Sequence, residues 1–181
     1  MTIPDLIVSR RSIRRFMDRD IPDEMIKTVL ESAGCAPSWG NSQCWEIIVV
    51  RDIAIRKKLA GTLSERNPAF LAVSNAPVVL AVCAALGKAG YYKGLPQTKF
   101  GDWFLFDLGL ATQNLVLTAH ALGLGSVIVG GMDQDKAKNY LQVPPDFELA
   151  VLLPLGFPDQ HPPAPHKRKR QDYLHNERFS S

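Results

Sequence analysis

The chain has 181 residues, 46% of them hydrophobic and 22% charged, with a formal net charge of +3 at pH 7. That length suits one domain with its own core. The two most apolar stretches fail as bilayer spans: residues 76–87 fall short of the roughly 20 required, and residues 103–123 carry Asp107, Gln113, Asn114 and His120.

Taken in chain order, residues 1–12 alternate apolar and polar side chains, with neither a sustained apolar run nor a small-residue cleavage site, so no leader is expected there. The run Asp20-Ile21-Pro22-Asp23-Glu24 predicts a helix start, with a capping aspartate, an early proline and acidic first-turn residues. Met25, Ile26, Val29, Leu30 and Ala33 continue it at helical spacing, and Pro37 sets its end near Ala36. A β-branched strand follows over 45–50, then an amphipathic helix from Asp52 to about Leu63 and a buried-type strand over 77–83. Residues 87–101 hold four glycines, three lysines and two tyrosines and read as a long loop or lid. Residues 102–122 form a helix apolar nearly all round, which calls for cover on several sides and predicts dimerisation through it. A strand over 126–129, a helix over 133–141 and a strand over 149–155 complete the pattern. The proline-rich approach to the C-terminus, with Tyr173 and Phe179 beyond it, reads as an arm over 160–181 that crosses to a partner.

Charge is unevenly placed. Four arginines lie within residues 10–15 and four bases in Lys167-Arg168-Lys169-Arg170; removing those eight from the 21 leaves 13 basic residues against 18 acidic ones. Such patches contact nucleic acid or converge on a single phosphate. Cys35, Cys44 and Cys83 show no metal-ligand spacing, which favours reduced thiols and a cytoplasmic setting. The four histidines likewise show no metal spacing, and no metal is expected. His120 reads as a helix residue making an ordinary hydrogen bond. The glycines at 123, 125, 130 and 131 match neither a dinucleotide fingerprint nor a Walker loop, and no hydrolase motif is present.

Two stretches carry the chemistry. Arg10-Arg11-Ser12-Ile13-Arg14-Arg15-Phe16 offers guanidinium forks and a hydroxyl. Residues 36–45, APSWGNSQCW, offer backbone and amide groups beside an indole. Together they suit a phosphorylated, flat, heteroaromatic ligand, which points to a flavin.

In these motifs the chain resembles the FMN-dependent nitroreductase family over nearly its full length. The resemblance runs through RRSIRRF, APSxxNxQxW, the helix from Phe106-Asp107-Leu108-Gly109 to Leu122, Gly123 to Gly131, Leu155-Gly156-Phe157-Pro158 and the basic element near 168. It implies an α+β fold of one domain, residues 1–181, with a central mostly antiparallel sheet flanked by helices. It also implies an intertwined homodimer with FMN at the interface. Arg10, Arg11 and Ser12 then bind the phosphate and ribityl chain, and Arg14 lies at the pyrimidine edge. Pro37, Ser38, Trp39 and Asn41 come from the other subunit, and Ile128, Gly130 and Gly131 face the isoalloxazine. For the terminal phosphate clamp the register within 167–170 is open, with Arg168 and Arg170 favoured. Trp39, Tyr91, Tyr92, Phe100 and Trp103 are candidates for the substrate pocket, and each is equally readable as core or lid packing. Cys44 replaces the family's usual proline before the tryptophan, and Gly130 stands where many members carry an acid.

The implied activity is an NAD(P)H-dependent FMN oxidoreductase. It takes hydride from NADH or NADPH and reduces a nitroaromatic, quinone or similar small acceptor by ping-pong chemistry, with no protein group as catalytic acid or base. A specialised flavin enzyme of the same family, such as a dehalogenase, a flavin-fragmenting enzyme or an oxidase, is one alternative. A nucleic-acid-binding module is another, which leaves the APSWGNSQCW stretch unexplained; neither nucleic acid nor membrane is an expected partner.

Overall fold

A computed structural model describes residues 2–179. Six helices, α1 (Ile3–Ser9), α2 (Asp23–Gly34), α3 (Ile53–Ala60), α4 (Phe70–Asn75), α5 (Phe104–Ala121) and α6 (Gln134–Leu141), surround strands β1 (Trp45–Val50), β2 (Val78–Ala85), β5 (Gly125–Ser126) and β6 (Phe147–Gly156). These strands form one sheet in the order β1-β2-β6-β5, every neighbouring pair antiparallel. Strands β3 (Tyr91–Tyr92) and β4 (Leu95–Pro96) make a separate small hairpin inside the expected lid. The α+β architecture of the resemblance is the one observed.

Strand β2 is buried throughout, and its alternation shows how the core is built. Val78, Leu80, Val82 and Ala84 pack on one face with Ile26, Val29 and Ala33 of α2 and Leu108, Ala111, Leu115 and Ala119 of α5. Val79, Ala81 and Cys83 pack on the other with Leu59, Ala72, Val73 and Ala137 from α3, α4 and α6. The period of two divides one apolar strand between two helical layers. In β6 the register slips between Val82 and Cys83 of its partner, so that Leu149 and Leu152, three residues apart, share one face.

Several expected boundaries are corrected. The opening residues form α1, whose capping box joins Thr2 and Asp5: Asp5 N–H donates to Thr2 Oγ1 at 3.4 Å and Thr2 N–H donates to Asp5 Oδ2 at 2.9 Å. Helix α2 has no capping aspartate. Pro22 holds the N-cap position and offers no side-chain acceptor, while Asp23 and Glu24 complement the first turn. It stops at Gly34, and the following helix, capped by Asp52, stops at Ala60. Helix α4 was not anticipated, because six residues are too few for a clear period.

The strand expected over 126–129 is interrupted. Its register against β6 is kept, from Ser126 opposite Leu155 to Val129 opposite Leu152, where the two residues exchange bonds of 2.9 Å. In that register Pro154 stands opposite Val127 and has no N–H to donate, so the ladder opens there.

Beyond β5 the sheet is extended by residues 12–17. Ser12 bridges Ser126, Ile13 N–H donates to the Ser126 carbonyl at 2.8 Å, and Met17 N–H donates to the Phe157 carbonyl at 2.9 Å. Two glycines make this approach possible. A Cβ at Gly125 would lie 2.7 Å from Ile13 Cβ, and one at Gly156 would lie 2.8 Å from the Phe16 ring.

Gly125→Ala should therefore push residues 12–17 off the sheet. The expected result is a loss of about 1–3 kcal/mol in stability, read as a lower urea midpoint with an unchanged slope.

Candidate functional site

The basic motif is divided by its own strand geometry. Ile13 is buried and Phe16 half-buried, so these two side chains anchor the segment, while Arg10, Arg11, Ser12 and Arg14 line open space. A cavity of about 810 Å³ is bounded by Arg10, Arg11, Ser12 and Arg14 on one side and by Pro162, Pro163, Ala164, Pro165, Lys167 and Tyr173 on the other. Arg11 is partly committed, because its Nη1 donates to the carbonyls of Val8 at 2.7 Å and Arg10 at 2.9 Å at the end of α1.

His120, in the last turn of α5, shares a hydrogen bond of 2.7 Å with Ser9 through Nε2 and lines an adjoining cavity with Arg10, Arg11 and Ser126. Its pKa lies below the ordinary histidine value, chiefly through burial and then through the charges of Arg10 and Arg11. It thus makes the hydrogen bond expected of it, and it also adjoins the cationic cluster.

Arg14 reaches a smaller cavity of about 120 Å³ shared with Asn67, Val127, Ile128, Gly130 and Gly131. Its Nε is buried without a hydrogen-bond partner. The interrupted ladder turns this stretch outward, leaving Ile128, Gly130 and Gly131 exposed. A Cβ at Gly130 would meet nothing closer than 3.7 Å, so packing does not require the glycine. Asn67 was missed in the sequence. It donates from Nδ2 to the Gly131 carbonyl at 3.2 Å and accepts from Ala69 N–H at 2.9 Å. The signal was Asn67-Pro68, a turn-forming pair between two elements.

The second motif is organised by Asp107, which is 1% exposed inside α5. Its carboxylate accepts from Trp39 N–H at 3.1 and 3.0 Å and from Ser42 Oγ at 3.2 Å. Gly40, Asn41 and Gln43 all have positive φ, and Ser38 Oγ accepts from Gln43 N–H at 3.0 Å. Cys44, where the resemblance implies a proline, is buried, with its thiol pushed up to about 11 by burial first and then by the Asp107 charge. A lone acid in an apolar helix was the legible signal for this anchor.

Around the loop stands an aromatic cluster. Trp39 and Trp103 have ring centroids 5.2 Å apart, Phe100 lies 6.1 Å and Phe106 5.4 Å from Trp103, and Trp103 Nε1 donates to Thr98 Oγ1 at 2.6 Å. Tyr91 and Tyr92 form β3 beside it, with Tyr92 exposed.

One chain does not bring the two motifs together. Asp107 and His120 mark them on the same helix, thirteen residues apart, which is roughly 20 Å at about 1.5 Å per residue. Of the terminal bases, Lys167 faces Arg10 across the large cavity. Arg168 instead donates to the Asp172 carbonyl and lies 5.8 Å from the Tyr173 ring, and Arg170 begins a 3₁₀ turn to Asp172.

A model of the Nitroreductase family matches residues 7–157. The chain belongs to the nitroreductase family. A protein from Archaeoglobus fulgidus, provisionally named an NADH dehydrogenase/NAD(P)H nitroreductase, is 35% identical over 161 residues, covering 84% of this chain and 83% of that one. One of the same name from Methanothermobacter thermautotrophicus is 31% identical over 166 residues, covering 90% and 80%. Among solved structures, the NADPH:FMN oxidoreductase from Vibrio harveyi complexed with NAD+ superposes with a TM-score of 0.85 at 27% identity, covering 98% of this chain and 78% of that one.

For a nitroreductase of this kind, the residues present fit FMN. The orphaned Arg14 Nε lies beside a glycine pair that packing does not demand, and Arg10 and Ser12 stand two to four residues before it on the same edge. Among the described residues no helix is long and apolar enough to cross a membrane, and no cluster of potential metal ligands occurs.

Asp107→Asn would set an NH₂ against the donors it now accepts. The variant should lose about 1–3 kcal/mol, with a shift in tryptophan emission from Trp39 and Trp103 before global unfolding. His120 has a folded pKa below its unfolded value, so the folded state binds fewer protons, and stability falls as pH drops below about 6.5. Urea midpoints between neutral and mildly acidic pH should show this slope, and His120→Gln should flatten it.

Proposed function

We propose that the chain is an NAD(P)H-dependent FMN oxidoreductase that acts as a homodimer, taking hydride from NADH or NADPH and reducing small nitroaromatic or quinone acceptors in ping-pong order. FMN, when bound, supplies the two-electron chemistry, accepting hydride from reduced nicotinamide and passing it on. The protein's part is to hold, orient and polarise.

Arg10 and Ser12 hold the phosphate and ribityl end, with the C-terminal bases closing over them. Arg14 sets a positive charge at the pyrimidine edge, where it favours the more negative, reduced state. Gly130 and Gly131 leave the approach to the ring edge open. Trp39 and Asn41, with Pro37 and Ser38, complete the site from a second copy. Tyr91, Tyr92, Phe100 and Trp103 supply aromatic faces for the acceptor. The supporting observation is the separation of the two motifs along α5: a site needing both requires two chains. Exposed apolar residues support the same assembly, among them Ile3, Ile7 and Val8 on α1 and Leu105 and Phe106 on α5. The C-terminal arm belongs to that interface in the same proposal. Three free cysteines support a cytoplasmic setting.

Desalted protein supplied with FMN should keep a flavin spectrum that bleaches on anaerobic addition of NADH or NADPH. In the same assay Arg14→Ala should lower the flavin reduction potential by about 30 mV or more, a two-electron change of about 1.4 kcal/mol. A colourless protein, or an unchanged potential in the variant, would overturn the respective assignment.

A further inference from the structure

A second cavity, lined by arginines and aspartates alike, lies away from the one assigned to the flavin. It encloses about 690 Å³ between residues 17–23, the end of β1, the start of α3 and the junction of α4 with β2. None of its lining residues lines the cavities around Arg10, Arg14 and His120. Three guanidinium groups from three separate stretches border it: Arg19, Arg51 and Arg56. Arg51 is paired with Asp23 at 2.5 Å, and Arg19 lies 3.9 Å from the centroid of the Phe157 ring.

Arg56 is different. It is only 9% exposed, yet no carboxylate lies within ion-pair distance of it among the described residues. One of its nitrogens, Nη1, donates to the Ala76 carbonyl, and Nε is buried without any acceptor. Burial opposes its charge, and only the more distant Asp52 and Asp20 offset that opposition. A buried guanidinium without an ion pair is unfavourable, and a strap to one carbonyl would need only the nitrogen already used. The nitrogen left for a ligand is Nη2, which has no hydrogen bond among the described residues and is not closed off as Nε is, and a guanidinium N–H of this kind makes a charge-assisted bond to an oxyanion. Asp18 and Asp20 form no ion pair with the described residues at the rim, and Ser74 and Asn75 complete a polar wall.

We propose that this cavity binds a small metabolite whose carboxylate or phosphate group is taken by Arg56 with Arg19, and whose hydroxyl or amino groups meet Asp18 and Asp20. The charges at the floor and the rim are opposite, so the site favours a compact oxyanion carrying donors over a bare anion or an apolar ligand.

The test uses the full chain saturated with FMN, so that the phosphate site near Arg10 is already filled. The Nε–H signals of the arginines are followed by proton–nitrogen NMR, with Arg56 assigned by its loss in Arg56→Lys. Inorganic phosphate and malate are titrated separately at constant ionic strength against chloride. The expected result is a saturable, millimolar shift of the Arg56 signal. Malate, which carries a hydroxyl donor beside its carboxylates, is expected to bind more tightly than phosphate, and tighter binding of phosphate would overturn the pairing of ligand donors with Asp18 and Asp20. Asn75→Asp, an exposed substitution that sets a negative charge in the wall, should abolish saturation with both probes. It also keeps the test valid if Arg56→Lys fails to fold, since the saturating arginine signal is then recognised by its loss. A signal that follows chloride alone, or one that saturates equally in Asn75→Asp, would overturn the proposal. Protein that retains no FMN would instead show phosphate acting on arginines of the 10–14 segment, a failure of the flavin reading and not of this one.

Discussion

The buried carboxylate of Asp107 is the interaction on which the 36–45 loop depends. It lies in a helix whose other inward residues are almost all apolar, and it is satisfied by one backbone N–H, one hydroxyl and the Cys44 thiol, with no cation paired to it among the described residues. That arrangement is tolerable because the acceptor is met by donors already aimed at it. The loop in return adopts three positive-φ residues within four positions, a course that local propensity alone would not select. The Trp39 ring is thereby held against Trp103, and the loop is fixed to the N-terminal part of α5.

At its other end the same helix presents His120 to Ser9 and the arginines. Helix α5 therefore acts as a spacer between the two motifs, and its length keeps them apart within one chain. The edge carrying Arg10, Ser12 and Arg14 is set by equally simple means. Glycines at 125 and 156 admit the added segment, and Pro154 denies Val127 a ladder bond just before the chain turns out to Gly130. Close packing and a missing donor, two features without chemistry of their own, place the cationic edge beside an open glycine pair.

Much of the fold was legible because its signals are local. The helical period of Met25 to Ala33, the β-branched run of Trp45 to Val50 and the unbroken apolar run of β2 each report burial directly. The two motifs stood out in the sequence as residue types suited to a phosphate and a flat ring, and the structure places each as a coherent local unit. Less visible were α1, which rests on a capping box and exposes nearly all its side chains, and α4, which is too short for a period. Asn67 escaped because its partner, the Gly131 carbonyl, is 64 residues away.

The amino-acid sequence by itself determined the family, the α+β layering and the two motifs, since these follow from residue type and spacing along the chain. The tertiary structure alone decided which arginines are hydrogen-bonded within the chain, that Asp107 anchors the loop, and that the two motifs stand a helix length apart. It also left Arg56 buried without a counter-ion among the described residues. Each of these depends on contacts between residues distant in sequence, where distance and burial, and not composition, fix what a charged group can do.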